Sequence, residues 1–91
     1  MAVRVIIEGR VQGVGFRYWV ACEAERLGVG GWVRNRREGT VEALISGNSE
    51  TIRQMISRCH QGPPVSHVTR LTETDAEAPE HPGFDIRPTA R

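Results

Sequence analysis

Twice along this chain a two-residue alternation of apolar side chains gives way to a helical stripe, and twice it returns. Val3, Val5 and Ile7 alternate with Arg4, Ile6 and Glu8, the pattern of a strand with one buried face. Phe16, Val20, Ala24 and Leu27 then recur at helical spacing, and Gly28 supplies a C-terminal stop. Gly31–Asn35 and Thr40–Ile45, joined through Arg36-Arg37-Glu38-Gly39, read as a β-hairpin with glycine in its loop. Asn48 and Ser49 are N-cap residues for a second helix, with Glu50 well placed in the first turn. Ile52, Met55, Ile56 and Cys59 form its apolar face, and Gly62-Pro63-Pro64 ends it. Val65–Glu73 reads as a fourth strand, Asp75–Gly83 as a loop and Phe84–Arg87 as a short final strand. The order β-α-β-β-α-β, with room for a fifth strand fragment, makes two split β-α-β units. The expected class is α+β, a ferredoxin-like sandwich: a four-stranded antiparallel sheet with both helices on one face. The other face, lined by the polar partners of the alternating strands, is expected to meet water.

Bulk composition narrows the function classes. Residues 1–91 are expected to form a single small domain with a thin core. The net charge is only +1, from 12 basic and 11 acidic residues, whereas nucleic-acid coats are strongly basic. Every one of the 12 basic residues is arginine, which suits bidentate anion recognition, although genomic bias gives the same composition. No apolar run reaches membrane-crossing length, and no secretory signal opens the chain. Cys22 and Cys59 are far apart and read as two reduced thiols of a cytoplasmic protein. His60, His67 and His81 show no zinc-like spacing with them, so neither metal nor other cofactor is expected.

Between the first strand and the first helix lies Gly9-Arg10-Val11-Gln12-Gly13-Val14-Gly15-Phe16-Arg17. Its glycines let backbone N–H groups converge, and the helix N-terminus beyond adds positive potential. Arg17 falls in the first helical turn, where the macrodipole disfavours a cation unless an anion sits between them. Gly13-Val14-Gly15 begins like a dinucleotide fingerprint, but Tyr18 stands where the third glycine belongs, and no Walker A Gly-Lys-Ser/Thr follows. The loop is therefore either an anion cradle or a tight connection whose glycines serve backbone geometry alone.

That segment, followed by Gly31-Trp32-Val33-Arg34-Asn35, closely resembles the two signatures of the acylphosphatase family. The resemblance extends over nearly the whole chain, including Gly62-Pro63-Pro64 and Phe84-Asp85-Ile86-Arg87. One departure is Arg36-Arg37-Glu38-Gly39, where relatives often carry an Asp-Gly turn. The resemblance implies hydrolysis of a small acyl phosphate to a carboxylate and inorganic phosphate. It also implies that Arg17 binds the phosphate and Asn35 positions the attacking water. The amides of Gln12, Gly13, Val14, Gly15, Phe16 and Arg17 would complete the cradle. The Phe16 and Val20 side chains are expected in the core, and Arg10 and Arg34 on solvated surfaces.

These few groups are enough for that chemistry. Phosphoryl transfer chiefly needs positioning and fixed positive potential. A carboxylate, with a conjugate acid of pKa roughly 4, leaves without protonation. Two rival functions share parts of the pattern. RNA-binding modules of the same element order stack bases on central-strand aromatics, which Val3–Ile7 and Thr40–Ile45 lack. A regulatory domain holding phosphate or carbamoyl phosphate without turnover, like those opening larger carbamoyl-transfer proteins, shares the first motif. The short chain favours the free enzyme, with no nucleic-acid or membrane partner and a monomer as the default.

Overall fold

A computed structural model describes residues 1–90. Its elements are β1 (Ala2–Arg10), α1 (Phe16–Leu27), β2 (Gly30–Asn35), β3 (Val41–Ser46), α2 (Ser49–Gln61), β4 (His67–Ala76) and β5 (Phe84–Ile86). They form a five-stranded sheet in the order β4-β1-β3-β2-β5. β1 pairs antiparallel with both β3 and β4, and β2 pairs antiparallel with β3. This is the expected four-stranded α+β sheet, extended at one edge by β5.

Pairing puts Val3 opposite Ile45, Val5 opposite Ala43 and Ile7 opposite Val41. These side chains share the helix-covered face with Val33 and are essentially inaccessible to water. Phe16, Val20 and Ala24 from α1 and Ile52, Met55, Ile56 and Cys59 from α2 close the core over them. Phe16 and Trp19 meet edge-on with centroids 5.6 Å apart. Burial pushes the Cys59 thiol up to about 12, so it behaves as a small apolar side chain. Both cysteines are free thiols.

The helix ends follow their local chemistry. α1 stops at a left-handed Gly28, whose N–H reaches back to Glu25 while the Val29 N–H bonds the Ala24 carbonyl at 3.1 Å. At the start of α2, the Asn48 side chain accepts the Thr51 N–H at 2.9 Å.

Strand bounds shift from the sequence reading, most in β4. β4 begins at His67, because Pro63–Ser66 close a turn through the Ser66 N–H and Oγ, both bonded to the Pro63 carbonyl. It continues through Asp75 to Ala76, which pair with Val3 and Ala2. An edge strand needs ladder bonds on one side only, so its exposed acidic side chains cost little there. β5 pairs parallel to β2, with Gly31, Trp32 and Val33 opposite Phe84, Asp85 and Ile86. Residues 77–83 cross from one sheet edge to the other, a span of four inter-strand gaps or about 19 Å, within reach of seven extended residues.

The uncovered sheet face is less open than alternation implies. Glu42 is only 2% exposed there, with Arg4 and Arg34 donating to its carboxylate and Arg36 Nη1 lying 3.8 Å away. The Arg34 bond measures 2.7 Å. Arginine stems cover the carboxylate while their head groups keep partial contact with water. Trp32 lies beside this cluster, with the Arg34 and Arg87 guanidiniums each 4.7 Å from its ring centroid. Burial alone would raise the Glu42 carboxyl, but hydrogen bonds and charge from Arg34 and Arg4 outweigh it and hold the pKa below the usual value. A depressed folded-state pKa stabilises the fold above the unfolded-state value and loses that contribution as pH falls through the folded one. Glu42→Gln is therefore expected to lower stability at neutral pH by about 2 kcal/mol. It should also flatten the loss of stability on acidification below roughly pH 4.5. Urea midpoints of both proteins measured across that range check the two effects together.

Candidate active site

Where β1 leaves the sheet, its register shifts between Glu8 and Gly9, forming a bulge against β4. The chain then turns through residues 11–15 into α1. Gly13 and Gly15 adopt φ of +74° and +75°. A Cβ at either position would meet nothing within 4 Å, so backbone conformation and not crowding calls for glycine. Gly15 is also the N-cap of α1, with no side-chain cap bond. The Trp19 N–H bonds the Gly15 carbonyl at 3.0 Å, which leaves the Phe16, Arg17 and Tyr18 N–H groups without intrahelical acceptors.

A cleft of about 290 Å³ opens at this junction, lined by Val11, Gly13, Gly15, Phe16, Arg17, Tyr18, Asn35 and Ile86. Arg17 and Asn35, read from separate signatures, therefore face the same space. Asn35 comes from the end of β2, opposite Val41 and on the helix-covered face. Arg17 is half-buried, and its Nη1 donates a long 3.4 Å bond to the Arg87 carbonyl. Among the described residues it has no carboxylate partner, unlike Arg4, Arg34 and Arg36. Its charge is thus available to an anion, beside the positive end of α1.

Two loop residues sit elsewhere. Val14 packs against the core. The Gln12 side chain turns away from the cleft, and its Nε2 donates to the Arg36 carbonyl at 2.8 Å and the Thr40 carbonyl at 2.9 Å. It thereby ties the loop to the hairpin that carries Asn35. The Arg36-Arg37-Glu38-Gly39 turn closes normally, with Arg36 N–H bonded to Thr40 and Gly39 N–H to Arg36. Arg34 is held by Glu42 on the opposite sheet face, Arg10 is exposed, and His60, His67 and His81 are all exposed.

Sequence reasoning missed the C-terminal contribution. Ile86 enters the cleft because β5 runs parallel to β2. Beyond it, the Ala90 N–H bonds the Asn35 carbonyl at 2.9 Å. No local pattern in 84–90 announces either contact, since both depend on which strand β5 joins. Tyr18 was the other omission. It is exposed at the cleft rim, and the neighbouring Cys22 thiol, by hydrogen bonding and by charge, pushes its pKa above the usual phenol value. A phenol so disposed is a poor proton donor at neutral pH. Among the described residues, the cleft lining holds one cation, one neutral carboxamide, one phenol and backbone amides, and no carboxylate, thiol or imidazole. Such a set can bind a compact anion and orient water against it, but it offers no efficient general acid or base.

No helix of the described residues is long and apolar enough to cross a membrane. The Acylphosphatase family model matches residues 3–86. A protein of Acidiphilium cryptum named Acylphosphatase is 48% identical over 89 residues, covering 98% of each chain. The crystal structure of acylphosphatase from Bacillus subtilis superimposes with a TM-score of 0.89 at 40% identity, covering 94% of this chain and 97% of that one. Full-length HypF in its phosphate- and nucleotide-bound form aligns at a TM-score of 0.88 and 27% identity, over 97% of this chain and 12% of HypF. A fold, a two-signature cleft and relatives matched end to end agree: the chain belongs to the acylphosphatase family, hydrolases that split the carboxyl–phosphate anhydride of acyl phosphates.

Proposed function

We propose that Arg17 and the backbone amides of Gln12, Gly13, Val14, Gly15, Phe16 and Arg17 hold the substrate phosphate, and that Asn35 positions the water that attacks it. The observation that carries this reading is the meeting of Arg17, the free amides of α1 and Asn35 around one cleft. Water attacks phosphorus as the bond to the carboxylate oxygen breaks, giving carboxylate and inorganic phosphate. Asn35 is neutral and accepts no proton near pH 7, so the water proton passes to a phosphate oxygen of the substrate. Arg17 and the amides stabilise charge on the equatorial oxygens without rearranging during the reaction. The carboxylate departs unprotonated, consistent with a lining that lacks a general acid.

The same reading takes residues 1–91 as a single domain acting as a cytoplasmic monomer, without a cofactor and without a nucleic-acid or membrane partner. The free state of both thiols supports a reducing compartment. A second reading is a regulatory domain that holds phosphate or carbamoyl phosphate without turnover; HypF, which this chain resembles over 12% of HypF's length, is described in a phosphate- and nucleotide-bound form. Metal-free hydrolysis of benzoyl phosphate separates the two. Undetectable turnover by the folded chain, with phosphate still bound, would establish the second.

Arg17→Ala is expected to lower turnover by at least roughly 100- to 1,000-fold and to abolish competitive inhibition by inorganic phosphate. Retained inhibition would remove Arg17 from the phosphate site. For Asn35→Ala, steady-state kinetics should show turnover reduced about 100-fold, with phosphate inhibition changed only a few-fold. Equal loss of both would mean that Asn35 shapes the cleft instead of holding water. The one acid–base group of the described lining, the Tyr18 phenol, is held above the usual phenol value, so kcat/KM for benzoyl phosphate should vary little between roughly pH 6 and 9. A bell-shaped profile in that range would require a general acid or base outside this set.

A further inference from the structure

The cleft lined by Arg17 and Asn35 adjoins a further depression. This second depression, of about 440 Å³, runs between α1 and β5 and shares Tyr18 and Ile86 with the cleft. Ala21, Val29 and Phe84 supply its apolar wall, and Glu25 lines it farther along α1. From Tyr18 to Glu25 the helix advances two turns, or about 10 Å.

Tyr18 is 70% exposed and Ile86 47% exposed. Single exposed apolar residues need no explanation. These two, however, stand together at the junction of an anion cleft and an apolar groove. An acyl phosphate has that same composition, a compact anion joined covalently to an organic tail. Once its phosphate is in the cleft, the acyl carbon lies at the cleft rim, and Tyr18 and Ile86 are the apolar side chains shared with the adjoining groove.

We infer that the groove between α1 and β5 receives the acyl group of the substrate, with Tyr18 and Ile86 at its mouth, and selects apolar acyl groups over those ending in a carboxylate. The inference rests on the reading of the phosphate cleft given above. Apolar surface on Ala21, Val29, Phe84 and Ile86 gains from contact with alkyl or aryl carbon. The Glu25 carboxylate repels a second negative charge on the acyl chain. Because the groove is open to solvent, selectivity is graded and short acyl groups are still accepted.

The test compares kcat/KM for acetyl, butyryl, benzoyl and succinyl phosphate with the intact chain. Butyryl and benzoyl phosphate are expected to exceed acetyl phosphate by roughly 3- to 10-fold, the scale of partly burying a few carbon atoms. Succinyl phosphate should fall below butyryl phosphate. Ile86→Ala and Ala21→Asp should each reduce the benzoyl-to-acetyl ratio at least about threefold. Glu25→Gln, at an exposed helical position, should raise succinyl relative to butyryl phosphate. If Ile86→Ala or Ala21→Asp loses its fold, seen as lost inhibition by inorganic phosphate, the four-substrate series and Glu25→Gln decide. Equal kcat/KM for all four substrates, with ratios unmoved by the variants, overturns the groove while leaving the phosphate cleft intact. Hydrolysis of none of the four overturns both readings.

Discussion

The register between β1 and β3 sets every other relationship in this molecule. With Val3, Val5 and Ile7 opposite Ile45, Ala43 and Val41, six apolar side chains face the helices. The partners on the other face are Arg4 with Leu44 and Ile6 with Glu42. Because the side-chain period of a strand is two, a slip of one residue would drive Glu42 into the core and expose the valines. The same register reaches β2 through β3. Asn35 pairs with Val41 and so shares a face with Val33, while Arg34 pairs with Glu42 on the reverse. The hydrophobic pattern that stabilises the core therefore also decides that Asn35 points to the side from which α1 approaches.

That register also explains why the cleft lies at this end of the sheet. Ile7, Val41 and Asn35 fall in one cross-strand row, so β1 and β2 both run out at the end of the sheet where β3 begins. Gln12 then ties the loop to the hairpin through the Arg36 and Thr40 carbonyls. Left-handed Gly13 and Gly15 turn the chain into α1 with its first N–H groups directed outward from the helix end. Arg17, in the first turn of α1, occupies a position where the helix dipole alone would not favour it. An anion between them would relieve that conflict, which is the physical ground for the proposed phosphate-binding role of Arg17.

The two faces of the sheet solve different electrostatic problems. On the open face Glu42 is surrounded by arginines, so a buried carboxylate remains charged and offsets part of their positive charge. On the helix face Arg17 has no such partner among the described residues. In a chain with nearly balanced charge, Glu42 engages Arg4, Arg34 and Arg36, while Arg17 is the arginine that lines the cleft. Composition alone, all arginine and no lysine, conveys nothing of that division.

Short-range physics made much of this protein legible in its sequence. Apolar periodicity, glycine's tolerance of positive φ and side-chain capping act over a few residues, so the element order, the core faces, the glycine turn and the misplaced cation at Arg17 could be read from the residues alone. The two signatures went further and joined Arg17 with Asn35. What only the tertiary structure decided was set by pairing between distant segments. It made β5 parallel to β2, brought Ile86 and the Arg87 carbonyl to the cleft, turned Gln12 toward the hairpin and buried Glu42 beneath arginine stems. A three-residue strand carries too little pattern to choose its partner. The choice is made in the assembled sheet, where β5 adds to the free edge of β2 while β4 forms the opposite edge.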